Sequence, residues 1–496
     1  MHIPVNKLLD NFYSIFSRRV YLDNNATTQL DDKVRMYMYK IQKTMYGNPS
    51  SMHMPGMRSR EVIENARLEV SRLINATPEE IIFTSGGTES NNTIIKAVAA
   101  QNSGAHFITS SVEHQSVLTV FKSLEEKGFE VSYIGVDNTG KVNIQQIKNA
   151  IRENTRLISV MHVNNETGSV NDIGEIARLA NLNNILFHSD VVQSYGKLKV
   201  DVRLLHVDYL SISSHKIYGP KGCGAMYVRK DAPFMPLLEG GHQESVKRAG
   251  TEALYNIAGF GMACRRMLQM DTDSYLRKMA LIRSIIFEGV QKIFPDVRLN
   301  GDINGFPSTL NLMFPGIPNS ELISYLDYYN VAVSAGSACV AGSEELSHVL
   351  LSLGLRDEEA ASSIRISIGK YNSLKDAEKF LKVLTRFKYA KEEFFEYAFP
   401  ERIGENEFSD KGKLFADLRS EKEMLEHKSL PGSIPVKPQL KELKKLPRDK
   451  EIILICEDGY ISNYFAPKLK NAGWKNVKVM FGGHKRWRLI NKIYHN

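Results

Sequence analysis

An α/β fold, with a mostly parallel sheet covered by helices on both faces, is what this sequence predicts, and three observations predict it. Strand-like and helix-like stretches alternate from Ile81 to Ile212. Residues that carry chemistry, His114, Asn165, Asp190 and Lys216, fall at or just after strand ends, where folds of this kind keep their sites. Ser85-Gly86-Gly87-Thr88-Glu89-Ser90 sets a glycine pair between a short buried strand and a helix, a place where backbone amides can hold a phosphate.

Val20-Tyr21-Leu22 is apolar and runs into the polar Asp23-Asn24-Asn25-Ala26-Thr27-Thr28, so it reads as a short strand ending in a turn. Gly47-Asn48-Pro49-Ser50-Ser51 reads as an irregular loop, and both stretches suit the lining of a site. Apolar residues take helical spacing from Arg58 to Ile74, and Ile81-Ile82-Phe83-Thr84 is a short buried strand. The glycines behind it let a backbone approach a ligand closely, Thr88 suits an N-cap, and a helix over 89–100 aims its first amides at the same spot. Strands are then expected at 106–109, 131–134, 157–161 and 185–187, with helices after His114, over 145–152 and over 173–180. Tyr209-Leu210-Ser211-Ile212 ends the series, and Lys216 lies in the turn that follows.

Lys216 and Asp190 together point to a cofactor. A lysine amine held at one strand end and a carboxylate delivered at another are the two groups pyridoxal phosphate needs: a Schiff-base lysine, and an acid beside the ring nitrogen. Either charge alone is ordinary at a strand end. The combination, with a phosphate cradle at Gly87, is not.

Gly240-Gly241-His242-Gln243-Glu244 and Lys247-Arg248-Ala249-Gly250-Thr251 form a glycine-rich loop, followed by long helices over 254–269 and 276–293. A smaller α+β unit comes next, with strands at 308–312 and 363–368, a helix over 320–328, and a helix from Leu374 toward Ala398. Within it, Ser334 to Ser343 is a run of small residues around one thiol, Cys339. A structural cysteine prefers apolar burial, so a thiol in this setting favours a reactive role. Pro400 and Gly404 break the last helix, and a new α/β unit begins near Lys413. Its strand at 452–455 ends at Cys456, where the amides of a turn leading into a helix could steady a thiolate or persulfide. The expected division is an extension over 1–19, a large domain over 20–262, a small domain over 263–396, a linker over 397–412 and a C-terminal domain over 413–496.

At 496 residues and 43% hydrophobic, the chain is too long for one core. Cys223, Cys264, Cys339 and Cys456 lie far apart with no C-x-x-C pair, which argues against a disulfide framework and against a zinc site, and for reduced thiols. No apolar run reaches membrane-spanning length, and Asp10 interrupts the apolar core a signal peptide would need, so a soluble cytoplasmic protein is expected. The net charge of +8 is uneven: from Phe408 onward 19 Lys and Arg face 10 Asp and Glu, against 45 and 46 before it. No basic stripe interleaved with aromatics accompanies that excess, so it suits an acidic protein partner and not a nucleic acid.

From about Val20 to Tyr389 the chain resembles the pyridoxal-phosphate cysteine desulfurases that supply sulfur for iron–sulfur clusters. The motifs that carry the resemblance are YLDNNATT at Tyr21, GNPSSMH at Gly47, SGGTESNN at Ser85, EHQSVL at Glu113, VNNETG at Val163, HSDVVQ at His188, SSHKIYGPKG at Ser213, RAGTE at Arg248 and SAGSAC at Ser334. The resemblance implies a homodimer with large and small domains of the aspartate-aminotransferase-like fold, fold type I among pyridoxal-phosphate enzymes. It implies that Lys216 carries the cofactor, Asp190 holds the pyridinium, Gln193 bonds the ring hydroxyl and His114 stacks on the ring. Gly87, Thr88, Ser213 and His215 would bind the phosphate, joined by Thr251 of the other subunit. Asn165 and Arg365 would take the substrate carboxylate, and Cys339 would remove the sulfur as a persulfide while L-cysteine becomes L-alanine. The long loop around Cys339, with Ser347-His348-Val349-Leu350 beyond it, resembles the class with a mobile nucleophile and not the class with a short, fixed one. Beyond Lys413 the chain resembles a rhodanese-like domain, carried by Asp417-Leu418-Arg419, Leu430-Pro431-Gly432-Ser433-Ile434, Cys456 and Phe481-Gly482-Gly483 before Trp487. Rhodaneses commonly place an arginine in the loop after their cysteine, whereas Glu457, Asp458 and Ile461 stand here. Acidic neighbours raise a thiol's pKa and repel anionic donors.

The expected function is therefore an L-cysteine desulfurase that delivers sulfur to an acceptor such as an iron–sulfur scaffold protein, with Cys456 as a candidate relay. A selenocysteine lyase or another lyase or aminotransferase on the same scaffold is the enzymatic alternative, for which Cys339 would be dispensable. A silent scaffold for sulfur-trafficking partners is the other, and the full set Lys216, Asp190, His114 and Cys339 speaks against it.

Overall fold

The computed structural model describes residues 18–336, 346–394, 397–398, 410, 412–457 and 459–494. The chain begins with β1 (Val20–Tyr21) and then builds its main sheet from β2 (Ile81–Thr84), β3 (His106–Ser110), β4 (Glu130–Ile134), β5 (Thr155–Ser159), β6 (Leu186–Asp190), β7 (Tyr209–Ser213) and β8 (Gly224–Val228). The seven strands lie in the order β2-β8-β7-β6-β5-β3-β4. All pairs are parallel except those of β8, which runs antiparallel to both β2 and β7.

Alternation within each strand explains why both faces are covered. Ile81, Phe83, Ile108, Ile158, Leu210 and Ile212 enter one core with the helices Met54–Arg72 and Leu254–Leu268. Their neighbours Ile82, Phe107, Leu157 and Tyr209 enter another core with the helices Gly87–Ala100 and Gln115–Glu125. A strand whose successive side chains face opposite helical layers has no room for a polar face, which is why these strands read as apolar runs.

β9 (Arg298–Leu299), β10 (Thr309–Met313) and β12 (Ser363–Ser367) form an antiparallel sheet in the order β12-β10-β9, while β11 (Val331–Ala332) pairs with β1 in parallel. The helices Thr272–Ile293 and Leu374–Phe394 belong with these strands, and Val20 and Leu22 are part of the core they share. The stretch at 20–22, expected in the large domain, thus packs with the second core, because its hydrogen-bonding partner is Val331 and not a local strand.

The C-terminal sheet is wholly parallel, with β13 (Tyr397–Ala398), β14 (Lys413–Asp417), β15 (Ile434–Pro435), β16 (Glu451–Ile455) and β17 (Val477–Met480) in the order β13-β17-β16-β14-β15. The expected linker therefore contributes a strand to the sheet it leads to. The helix Tyr460–Asn471 sits against the helix Asn319–Tyr328, with Ser324 Oγ donating to the Tyr460 carbonyl at 3.3 Å. Among the described residues no helix is long and apolar enough to cross a membrane.

Candidate active site

Lys216 closes a short 3₁₀ turn, Ser214–Lys216, directly behind β7. Its Nζ donates to the carbonyls of Asn25 (2.5 Å) and Ala26 (2.8 Å). The 23–28 turn is braced against the same segment: Thr28 N and Oγ1 donate to the His215 carbonyl at 3.0 and 2.8 Å, and Thr28 Oγ1 accepts from Tyr218 N at 2.8 Å. The Asn25 carbonyl also accepts from Gln193 Nε2 at 3.0 Å, so the lysine and the glutamine meet on one atom.

Asp190 ends β6 and is 7% exposed. One carboxylate oxygen accepts from Val192 N and the other from Asn91 Nδ2, each at 2.9 Å. Asn91 Nδ2 also donates to Ser116 Oγ (2.8 Å), which in turn bonds His114 Nδ1 at 2.8 Å. His114 is itself an N-cap, its Nδ1 accepting from Ser116 N at 3.1 Å. A continuous polar path thus connects Asp190 to His114 through two residues, Asn91 and Ser116, that the sequence reading missed. The signal was present: Asn91 stands one helical turn after Gly87, on the same side of that helix.

The helix after β2 starts at Gly87 with Gly86 as its N-cap, so Thr88, expected as the cap, lies in the first turn and is exposed. The glycine pair lets the chain turn into the helix two residues earlier than a threonine cap would. The first turn of a helix leaves its amides without intrahelical acceptors, and the space beside Gly86 is open to 4 Å. Gly87 has no room for a side chain, since a Cβ there would lie 2.8 Å from Val192 Cγ2. Ser213 is buried, and His215 Nδ1 is 3.1 Å from Thr27 Oγ1. Burial, and then the charge of Lys216, press the His215 pKa down to about 3.

Arg365, on β12, is 1% exposed. It reaches Asp23 Oδ1 at 2.8 Å and the Asn165 carbonyl at 3.1 Å, while its Nε has no acceptor. Thr251 is exposed, in the loop before the helix Leu254–Leu268. Cys339 falls within 337–345, outside the described residues.

Two buried titratable groups nearby were not read from the sequence. Lys197 is 4% exposed, its ammonium 5.6 Å from the centre of the Phe306 ring, and burial, followed by the Lys216 charge, lowers its pKa to about 7. Glu113 is wholly buried beside His114, and burial lifts its pKa to about 8 even though Ser110 Oγ (2.6 Å) and Met161 N (2.9 Å) donate to it.

His188, in the middle of β6, is held between Ser159 Oγ (2.8 Å) and Ser211 Oγ (3.0 Å), and burial lowers its pKa to about 3. The unfolded chain protonates this imidazole near 6.5 and the folded chain does not, so stability is full above that value and falls as the pH drops toward 3. The thermal midpoint is expected to fall between about pH 7 and about pH 4.5, and to fall less in His188→Gln. An equal fall in both proteins would exclude His188 as a source.

These residues fit pyridoxal phosphate. Asp190 faces the requirement of a ring nitrogen and Lys216 that of an aldehyde. Gln193 Oε1, buried and without a donor, suits the ring hydroxyl. The Gly86–Gly87 helix start suits the phosphate, and the unsatisfied Arg365 Nε suits a carboxylate.

In the C-terminal unit Cys456 follows β16, 1% exposed, with its sulfur accepting from Ser462 N at 3.4 Å. Glu457, expected to oppose an anion there, is set between two arginines: Arg488 contacts it and Arg419 lies at 3.6 Å. The arginine missing from the loop is thus offset in space by two from elsewhere in the domain. Asp458 lies outside the described residues.

Comparison with known proteins agrees with this geometry. The class-V aminotransferase family model matches residues 20–380, and the rhodanese-like domain model matches residues 404–489. The cysteine desulfurase IscS of Dictyoglomus turgidum is 44% identical over 372 residues, covering 74% of this chain and 94% of that protein. The cysteine desulfurase IscS of Methanosarcina thermophila is 41% identical over 371 residues, covering 74% and 91%. Among solved structures, a NifS-like protein superposes with a TM-score of 0.70 at 35% identity over 75% of this chain and 99% of its own. SspA in complex with cysteine gives 0.64 at 36% identity over 71% and 100%. By fold and by sequence kinship, the chain belongs to the class-V aminotransferase family, among its pyridoxal-phosphate-dependent cysteine desulfurases, and continues into a rhodanese-like domain.

Proposed function

We propose that the chain removes sulfur from L-cysteine onto Cys339 and delivers it to an acceptor protein such as an iron–sulfur scaffold. The observation that carries this reading is the convergence of Lys216 and Gln193 on the Asn25 carbonyl, with Asp190 tied to His114 through Asn91 and Ser116. Pyridoxal phosphate, when bound, supplies an electron sink for negative charge at the substrate Cα. Lys216 Nζ is the base that takes the Cα proton and returns it. With the cofactor bound, the Asp190 carboxylate would favour a proton on the ring nitrogen and His114 would stack on the ring. Gly87, Thr88, Ser213 and His215 would hold its phosphate. Arg365 and Asn165 orient the substrate carboxylate, the arginine through its unsatisfied Nε. The Cys339 thiolate forms an S–S bond to the substrate sulfur as the substrate C–S bond breaks and leaves its electron pair on Cβ, which takes a proton; with the Cα proton returned by Lys216, the product is alanine.

Cys456 is the proposed second carrier: its thiolate attacks the outer sulfur of the Cys339 persulfide, and Cys339 returns to a thiol. The cations around Glu457 and the Ser462 amide support an anionic sulfur there. To test both steps, the enzyme is incubated with sulfur-labelled L-cysteine and its peptides are weighed. Label is expected on Cys339 in the wild type and in Cys456→Ser. Label on Cys456 is expected in the wild type and absent in Cys339→Ser. A Cys456→Ser enzyme that releases alanine with Cys339 unlabelled overturns the nucleophile, and a wild type with Cys456 unlabelled overturns the relay.

A homodimer completes the reading, with Thr251 reaching the partner's phosphate site. Its support is a set of exposed apolar side chains, Met52 at 94%, Tyr46 at 81%, Met36 at 69% and Tyr39 at 67%, in one stretch of chain beside the 47–51 loop. A cofactor-loaded, active monomer in sedimentation would overturn it. A reducing compartment, the cytoplasm, suits Cys223, Cys264 and Cys456, none of which forms a disulfide.

A further inference from the structure

Glu166 has no part in the roles above, yet it is 1% exposed at the edge of the site. It sits in a tight turn in which Asn164 Oδ1 accepts from Glu166 N (2.8 Å) and Thr167 N (3.0 Å), and Gly168 N closes onto the Asn164 carbonyl at 3.0 Å. From this turn the carboxylate reaches both ends of the Cys339 segment. Ser347 Oγ donates to Glu166 Oε2 at 2.6 Å, the length of a charge-assisted bond. The same oxygen lies 2.8 Å from where a Cβ on Gly336 would stand, so Gly336, at φ +148°, packs against it as only a glycine can. Gly336 precedes and Ser347 closely follows residues 337–345, which lie outside the described residues and include Cys339.

Both ends are also joined to substrate-binding elements. Ser334 and Arg365 exchange backbone hydrogen bonds at 3.2 and 2.7 Å, and Arg365 Nη1 donates to the carbonyl of Asn165, the neighbour of Glu166. Beyond Ser347, His348 Nε2 bonds the Glu113 carbonyl at 2.9 Å and its Nδ1 faces Gln115 Nε2 at 3.1 Å, on either side of His114. The turn at 164–168 therefore touches the substrate arginine and both stems of the thiol-bearing segment.

We propose that Glu166 is a positioning residue for sulfur transfer: by holding Ser347 through a hydrogen bond and seating the bare Gly336 backbone against the same oxygen, beside Asn165, it sets where the two residues flanking 337–345 stand relative to the bound substrate. Fixing the two flanking residues limits the positions open to a group carried between them, and so raises its effective concentration at the substrate sulfur. The inference rests on Cys339 being the nucleophile. It separates two events that one site would otherwise couple, because substrate capture uses Lys216, Asn165 and Arg365, whereas thiol delivery uses Glu166.

The test compares holoenzyme carrying Glu166→Ala, Glu166→Gln and Gly336→Ala with wild type. Three quantities are read: the change in cofactor absorbance on adding L-cysteine, the single-turnover rate of persulfide formation on Cys339, and the alkylation rate of Cys339 by iodoacetamide without substrate. In Glu166→Ala the absorbance change is expected to stay near that of wild type while persulfide formation slows about tenfold or more and the alkylation rate shifts. Glu166→Gln keeps an acceptor for Ser347 Oγ and should recover most of the rate. Gly336→Ala, which pushes one stem off an intact carboxylate, should slow persulfide formation as Glu166→Ala does, and it decides the matter if the latter does not fold. Wild-type persulfide rates in both alanine variants overturn the proposal, as does a parallel fall in absorbance change and persulfide rate. Failure of the wild type to load Cys339 at all sinks the nucleophile reading instead, which keeps the two failures distinct.

Discussion

Lys216→Ala is expected to lower turnover of L-cysteine by at least about 10⁴-fold and to abolish the visible absorbance of the lysine-bound cofactor. The reason is positional. Lys216 Nζ reaches the 23–28 turn from the end of β7, within hydrogen-bond distance of the carbonyl that also receives Gln193, so it is the amine delivered to that point. Lys197 cannot replace it without moving, because its backbone lies four residues beyond Gln193 and its ammonium is directed over the Phe306 ring at 5.6 Å. Truncating Lys216 also frees the Asn25 and Ala26 carbonyls, so some loosening of the turn is expected. An added primary amine that restores part of the rate would show that the missing group is chemical and not merely structural. A variant retaining a tenth of wild-type turnover or more would remove Lys216 from the mechanism, a loss of about 1.4 kcal/mol in barrier being too small for the group that carries the chemistry.

Much of this site could be read before any coordinates, because its residues follow strand ends and the strands are marked by apolar runs. β6 and β7 were legible for that reason, and with them Asp190 and Lys216. What escaped is what depends on distant partners. β1 is only two residues long and takes its place from Val331, more than three hundred residues away, so nothing local assigns it to the second core. β8 escaped because Gly224 opens it and no turn motif announces its antiparallel pairing with both β2 and β7. Asn91 and Ser116 look like ordinary polar helix residues until the chain fold sets them between Asp190 and His114. Lys197 and Glu113 are charged residues in sequence and become unusual only through burial. Glu457 shows the reverse error: its charge was legible, but the arginines that offset it, Arg419 and Arg488, come from elsewhere in the domain.

Asp190→Asn is expected to keep the cofactor bound and visibly coloured, since Lys216 is untouched, yet to lower kcat by about 10²–10³-fold, the range for removing a charge that stabilises a transition state. Two effects act together. A neutral amide cannot favour a proton on the ring nitrogen, so charge developing at the substrate Cα is poorly accommodated. The amide is also mismatched to its surroundings, because both carboxylate oxygens accept hydrogen bonds, one from Val192 N and one from Asn91 Nδ2. Whichever way the asparagine is turned, its NH₂ faces a donor. Asn91 can relieve the clash only by rotating, and rotation breaks its bond to Ser116, which bonds His114. The defect should therefore appear in kcat more than in KM, and Asn91→Ala should reproduce a smaller part of it while leaving the Asp190 charge in place. The measurement is steady-state alanine release beside the absorbance spectrum of each variant. A coloured Asp190→Asn enzyme within about threefold of wild-type kcat would show that the ring nitrogen does not depend on this carboxylate, and a colourless one would show that Asp190 acts in cofactor retention and not in the chemical step.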